Sequence, residues 1–373
     1  MIYLDYISTS PVDEEIMNTY QSLLAKYFAN SDSLHDLGKE VRDLLMKSRL
    51  HISKLLDIQV EEVIFTSGAS EANNMAIKGI AFQKGNRDKH FITTAIEHTS
   101  VKNTFQQLEE LGYDVSYLSV DEKGVISMEE LKQLIRKETV LVSIMQVNNE
   151  VGSVQPIAEI KEYIKKHTNA YLHVDMVQAL GKLPVICKDI DLISFSAHKI
   201  FGLKGSGVLI KKAHVKLLPL ISGGQQEFGY RGGTSNALVN IMFAKTLRKA
   251  ITDQAANYEY VDTLRNYLHT ELMGINSVVV NSTVEGSPFI VNFSCLSLGS
   301  EIMLNALNGK GFAVSARSTC SSLKNEDAYV LQAMNKSKEV MNGTIRIGLS
   351  KDTTIEELQA FISSLKEILT VYG

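Results

Sequence analysis

EVIFTSGASEANNMAIKGIAFQ, residues 62–83, is the stretch on which the fold turns. From Glu62 to Thr66 it reads as a buried strand, because β-branched and aromatic residues follow one another without a polar break. Ser67-Gly68-Ala69-Ser70 then makes a tight turn of small and hydroxyl residues. Ala69 to Gln83 has a helical pattern, with Gly85-Asn86 at its C-terminal end. The alternation continues downstream. His90 to Thr94 reads as a strand, about His98 to Glu110 as a helix, and Asp114 to Leu118 as a strand. Ser127-x-x-Glu130 has the form of a capping box and opens a helix with Leu131, Leu134 and Ile135 on one face. Strand Val140 to Met145, helix Ile157 to Lys166 and strand Tyr171 to Val174 follow. Repetition of this kind predicts βαβ units and a largely parallel sheet. Asp191 to Phe195 and Gly207 to Ile210 are separated by only about a dozen residues, too few for a crossover helix, which predicts antiparallel pairing there.

The pattern changes near residue 250. A helix from about Thr252 to Met273 precedes strands Val278 to Val280 and Phe289 to Phe293. The last helix is capped by Thr354-x-x-Glu357 and carries Ile355, Leu358, Ile362, Leu365 and Leu369 as an apolar stripe. The reading is an α/β chain: a large domain over 12–255 with a mainly parallel sheet, and a smaller α+β domain of 1–11 with 256–373.

Of 373 residues, 45% are hydrophobic and 21% charged, which supports a packed globular protein rather than a disordered one. Lys+Arg 38 against Asp+Glu 42 gives a net charge of −4, so no overall field draws the chain to nucleic acid or to an anionic membrane. No stretch approaches the ~18 apolar residues of a membrane span, and MIYLDY lacks the character of a signal peptide. Cys187, Cys295 and Cys320 are too far apart for a disulfide scaffold or a zinc ribbon. A cytoplasmic protein without a metal site is expected.

Three segments carry possible chemistry, each directly after a strand, where open α/β sheets place ligands. Thr66-Ser67-Gly68-Ala69-Ser70 offers backbone N–H groups at a helix N-terminus, suited to phosphate, although small residues are common in such turns. Asp175, in His173-Val174-Asp175-Met176-Val177-Gln178, ends a buried strand and needs a cation or donors unless it is a simple helix cap. Lys199, in Ser194-Phe195-Ser196-Ala197-His198-Lys199, is either a partly buried amine able to form a Schiff base or a surface lysine opening a loop. Taken singly, each has the plainer reading. Together they match what pyridoxal 5′-phosphate requires: an anion site, a carboxylate for the ring nitrogen and an amine for the aldehyde. No G-x-G-x-x-G follows a strand and no G-x-x-x-x-G-K-[ST] occurs, which argues against dinucleotide and nucleoside triphosphate sites.

The chain resembles the cysteine desulfurases of the class-V aminotransferase family, which are fold-type I pyridoxal phosphate enzymes. The resemblance lies in IYLDY, FTSGASEANNMAIKG, IEHTSV, VSIMQVNNEVG, HVDMVQALGKLP, SFSAHK, GGQQE with RGGTSN, SARSTCSS and TIRIGLS, in that order over nearly the whole chain. It implies that Lys199 binds the cofactor aldehyde, Asp175 pairs with the ring nitrogen and His98 stacks on the ring. Gln178 and Asn149 would lie near the phenolic oxygen and the substrate. Ala69, Ser70, Ser196 and His198 would bind the phosphate, joined by Thr234 from the second subunit of a homodimer. Arg346 would clamp the carboxylate of the substrate L-cysteine, assisted by Asn30.

Cys320 falls at the family's catalytic cysteine. Its hydroxyl-rich surroundings, Ser315 to Ser322, have no helix or strand periodicity, as suits a nucleophile on a loop. Cys295 shares the phase of Phe289, Val291 and Phe293 and is expected in the core; Cys187 is expected to be structural. Three positions depart from the family: Ser31 replaces a usual proline, Arg317 a glycine, and Phe228 a basic residue. The implied reaction converts L-cysteine to L-alanine and leaves a persulfide for an acceptor protein of iron–sulfur cluster assembly or tRNA thiolation. A selenocysteine lyase, another β-lyase, a transaminase or a catalytically silent binding homologue are the alternatives.

Overall fold

The computed structural model describes residues 1–83, 85–316 and 328–372. In chain order, β1 (Ile2–Tyr3), α1 (Glu14–Leu24) and α2 (Asp36–Leu56) come first. Then β2 (Val63–Thr66), α3 (Ala69–Ala81), β3 (His90–Thr94), α4 (Thr99–Glu110), β4 (Asp114–Leu118), α5 (Met128–Leu134) and β5 (Thr139–Met145) follow. The alternation continues with α6 (Ile157–His167), β6 (Tyr171–Asp175), β7 (Leu192–Ser196) and β8 (Gly207–Lys211). α7 (Ala237–Thr252) and α8 (Gln254–Met273) lead to β9 (Val278–Val280), β10 (Ile290–Cys295), α9 (Ser300–Gly309) and β11 (Phe312–Ala313). α10 (Tyr329–Ala333), α11 (Lys338–Asn342), β12 (Thr344–Gly348) and α12 (Ile355–Tyr372) complete the described chain.

Strands β2 to β8 form one seven-stranded sheet in the order β2-β8-β7-β6-β5-β3-β4. Pairs from β7 across to β4 are parallel, and β8 runs antiparallel to both its neighbours, as the short β7–β8 connection predicted. The sheet is covered on both faces, so β2, β3 and β7 are buried along their whole length and β5 at all but Val140, and β2 and β5 read as almost continuous apolar runs. Its order reverses between β5 and β3, which opens a crevice at the C-terminal strand ends. Polar groups inside the sheet are satisfied across strands. His173 bridges Ser143 and Ser194 at 2.8 and 3.0 Å, and burial pushes its pKa down to about 3, so it is neutral there. That bridge ties the strands on either side of the one that ends in Asp175.

A three-stranded antiparallel sheet, β12-β10-β9, packs with α8 and α12. β1 pairs in parallel with β11, and Asp5 bridges to Gly348 at the end of β12, so the chain's first residues lie beside its last strand. The Thr354–Glu357 capping box forms in both directions. Below it, Leu358, Phe361, Ile362, Leu365 and Ile368 of α12 are buried, each worth about 1.5–3 kcal/mol. No helix among the described residues is long and apolar enough to cross a membrane.

Several local expectations are corrected. At Ser127 only half the capping box exists, since Glu130 turns its carboxylate to Ser119 instead. β10 is buried on both faces, because Asn281 donates to Asn292 and Ser294 on its polar side. Cys295 is nonetheless in the core, 1% exposed, and Cys187 is buried as well. The sequence pattern gives no expectation for helices α1, α2, α7, α9, α10 and α11.

Candidate active site

A cleft of about 520 Å³ opens at the C-terminal edge of the large sheet. It is lined by the residues that follow β2, β3, β5, β6 and β7 and by those that precede β8. This placement follows from strand direction, since every parallel strand delivers its next loop to the same edge.

Lys199 sits just beyond β7 in a single 3₁₀ turn. Its Nζ donates to the carbonyls of Ile7 and Ser8 at 2.6 and 2.7 Å. The N-terminal segment is laced to the same turn: Ser10 N and Oγ both donate to His198 O, and Phe201 N donates to Ser10 Oγ. A lysine held this way is aimed, and its amine reaches the cleft wall rather than solvent.

Asp175 ends β6 and is 5% exposed. Its carboxylate accepts from Val177 N at 3.0 Å and from Asn73 Nδ2 at 2.8 Å. Burial outweighs these donors and Lys199, and raises its pKa above the usual carboxylate range. It is a buried acid that forms no ion pair among the described residues. His98 caps α4, accepting from Ser100 N at 3.1 Å through Nδ1. Burial, then the charges of Lys199 and Arg346, push its pKa down to about 4, so the ring is neutral with its proton on Nε2.

Arg346, on β12, is 2% exposed. It donates through Nη1 to Asn149 O at 2.8 Å, and through Nη2 to Ser8 Oγ at 2.8 Å and to Asp5 at 3.2 Å. Its Nε and the Oδ1 of Asn149 are buried without hydrogen-bond partners among the described residues. Two unsatisfied polar atoms on one wall mark a place for a polar ligand.

At the opposite end, α3 begins at Gly68 with no side chain capping its first N–H groups. Gly68 has φ +155°, and a Cβ on Gly207 would meet Gly68 Cα at 2.6 Å, so both positions demand glycine. The close crossing of β2 and β8 exposes the helix N-terminus beside Ser70, Ser196 and His198. Pyridoxal 5′-phosphate fits this set. The helix end suits its phosphate, Lys199 its aldehyde, and its protonated ring nitrogen supplies a cation for Asp175.

Of the sequence-predicted residues, His98, Asn149, Asp175, Gln178, Ala69, Ser70, Ser196, His198, Lys199 and Arg346 all line this one cleft. Asn30 and Thr234 are exposed and do not line it. Cys320 and Arg317 lie outside the described residues. Phe228 is not in the cleft wall; its ring covers the guanidinium of buried Arg49 at 4.9 Å, and Arg49 pairs with Glu227 at 2.9 Å. Sequence reasoning missed Asp5, Ser8, Asn73 and Lys182. Asp5, Asn73 and Lys182 stand within quoted motifs (IYLDY, ASEANN and QALGK) and Ser8 two residues after the first, so the signal was the motif rather than the residue type.

The chain matches the aminotransferase class-V family over residues 2–361. It is 38% identical to a "NifS/IcsS protein homolog" of Lactobacillus delbrueckii subsp. bulgaricus, spanning 99% of this chain and 97% of that protein. It is likewise 38% identical to the "Cysteine desulfurase IscS" of Dictyoglomus turgidum, over 99% of this chain and 94% of that one. Among solved structures, a "NIFS-LIKE PROTEIN" superposes with a TM-score of 0.93 at 34% identity, covering 99% of both chains. "SspA in complex with cysteine" does so with a TM-score of 0.83 at 31% identity, covering 94% of this chain and 99% of that one. With family sequence over almost its whole length and the matching fold beneath it, the chain belongs to the class-V aminotransferases, which are pyridoxal 5′-phosphate enzymes.

Proposed function

We propose that the protein is an L-cysteine desulfurase. The observation that carries this is the meeting, in one cleft, of an aimed lysine, a neutral histidine and, among the described residues, a buried aspartate outside any ion pair and a buried arginine with an unused donor. Relatives bearing the name cysteine desulfurase support it. Bound at the cleft, pyridoxal phosphate supplies an electron sink for charge developing at the substrate Cα.

The chain's own residues do the rest. Asp175 holds the proton on the ring nitrogen, with Asn73 and Val177 N fixing the carboxylate's plane. Lys199 binds the aldehyde and, when free, takes the Cα proton at Nζ. Neutral His98 covers the ring and, with Nδ1 committed to Ser100, presents only Nε2–H toward the reacting atoms. Arg346 receives the substrate carboxylate. Cys320 acts as the sulfur nucleophile: its S–S bond to the substrate sulfur forms as the substrate's Cβ–S bond breaks. The balance is L-cysteine plus Cys320 thiol giving L-alanine plus Cys320 persulfide, with no external oxidant.

A homodimer in which Thr234 reaches the partner's phosphate site accounts for that residue's exposure on the single chain. Asn30 assists at the substrate carboxylate in the same assembly. The outer sulfur passes to an acceptor of iron–sulfur cluster assembly or tRNA thiolation, and a reducing cytoplasm suits such a persulfide. With a division into 12–255 and 1–11 with 256–373, the cleft would take its walls from both parts: the sheet loops from the first, and Ile7, Ser8 and Arg346 from the second. The test is alanine release from cysteine, with mass spectrometry for one added sulfur. The added sulfur is expected on Cys320, and Cys320→Ala is expected to keep its cofactor but release no alanine. Undiminished turnover in that variant would remove the assignment.

A further inference from the structure

Behind the cleft lies a smaller cavity of about 50 Å³, and Lys199 lines both. Lys182 lines only the small cavity and Gln178 only the cleft. Across the wall between them, Lys182 Nζ donates to Gln178 Oε1 at 2.6 Å. The backbone fixes this lysine firmly. Gly181 before it has φ +68°, and a Cβ there would lie 2.8 Å from Ala250 Cβ, so the turn is pressed against α7. Gln254 Nε2 holds Lys182 O at 3.3 Å.

Lys182 is 7% exposed, and among the described residues it forms no ion pair. Burial, and then the like charges of Lys199 and Arg346, push its pKa down to about 7. A buried amine among cations, with one neutral acceptor, is a costly arrangement. What it does is visible at Gln178. An amide can present either end to a cleft, and here the 2.6 Å bond donated by Lys182 Nζ sets the oxygen end toward the lysine, most firmly when the amine is protonated and has only donors to offer. The NH₂ end is thereby turned away, where it meets Ile7 O at 3.3 Å, a long and exchangeable bond.

We propose that Lys182 is a positioning residue that locks the Gln178 amide so that its NH₂ group donates to the phenolic oxygen of the cofactor. This rests on the cofactor reading above. Lys182 touches neither cofactor nor substrate and acts only through Gln178.

The test reads the pH midpoint of the visible absorption band of the covalently bound cofactor. Losing a donor to a phenolate makes that oxygen hold its neighbouring proton more tightly. Lys182→Met should therefore raise the midpoint by on the order of one unit, the size of one hydrogen bond to a charged oxygen. Gln178→Met should raise it similarly, and the double variant no further, because the two residues act as one unit. Lys182→Gln, a shorter donor, should raise it less, which keeps the comparison open if Lys182→Met fails to fold. A Lys182→Met or Lys182→Gln midpoint equal to the wild type, or additive shifts in the double variant, would overturn the inference. A wild-type protein without any such band would instead overturn the cofactor reading, and the inference with it.

Discussion

Arg346→Gln separates a substrate clamp from a structural arginine. Of the five N–H donors of its guanidinium, Asn149 O, Ser8 Oγ and Asp5 engage one each, and buried Nε has no acceptor among the described residues. An incoming carboxylate competes with the Ser8 hydroxyl and the Asp5 carboxylate for the two donors of Nη2. Two hydrogen bonds to a charged group at about 1.5 kcal/mol each sum to about 3 kcal/mol. At about 1.4 kcal/mol per decade, kcat/KM for L-cysteine should fall about 10²-fold. The folding cost is smaller, about 1–2 kcal/mol. Asp5 keeps the Ser8 and Ser315 hydroxyls at 2.8 and 2.6 Å, and its side chain is 18% exposed. The assay is sulfide release under a reductant, with L-cysteine and with its methyl ester, which has no charged carboxyl. The ester should be turned over by the variant within about threefold of the wild type, so the preference for the free acid collapses. An equal loss on both substrates would show that Arg346 only supports the cleft. An unchanged preference would place the carboxylate elsewhere.

Lys199→Ala should abolish the covalent cofactor linkage, and borohydride reduction of the wild type followed by peptide mapping should find the pyridoxyl group on Lys199; recovery on Lys204 would refute the assignment. Cys295→Ala should lower stability by about 1 kcal/mol through lost packing and leave turnover intact, since burial pushes that thiol up to about 12 and keeps it unreactive. Burial also pushes Glu97 up to about 8 from an unperturbed 4.5. The unfolded chain thus releases a proton that the folded chain keeps, and stability falls as pH rises from about 4.5 to 8. Thermal unfolding of Glu97→Gln should gain on the wild type across that window, and parallel curves would show that Glu97 is ionised in the fold.

The strands of the large sheet were legible because each is a short run rich in β-branched, aromatic and aliphatic residues between turn or helix segments, and His90–Thr94 and Asp114–Leu118 match their predicted bounds. Two of the helices that the pattern does not give are hidden by their burial. α7 is buried on nearly all sides from Ala237 to Ala244, so it lacks the one-sided stripe that marks a helix. In α2 the stripe of Val41, Leu45, Ile52 and Leu56 is interrupted by Ser48 and Arg49, which are equally buried. Arg49 is tolerated there because Glu227, 178 residues away, meets it with two 2.9 Å hydrogen bonds. Nothing local to Arg49 announces that partner.

The same division runs through the site. The sequence by itself determined the order of strands and helices and which residue types stand at the strand ends, because periodicity, caps and turns act over a few residues of backbone. Lys199, Asp175 and His98 could be named on that basis and on the motifs around them. Only the tertiary structure decided that Ile7 and Ser8 aim Lys199, that Asp5 shares Arg346 with the cleft, and that Lys182 turns the amide of Gln178. Those contacts join side chains and backbone groups whose separation is set by the packing of whole elements. Hydrogen bonds fall off within a few tenths of an ångström, so pairing at that precision exists only once the sheets, the N-terminal segment and β12 have docked.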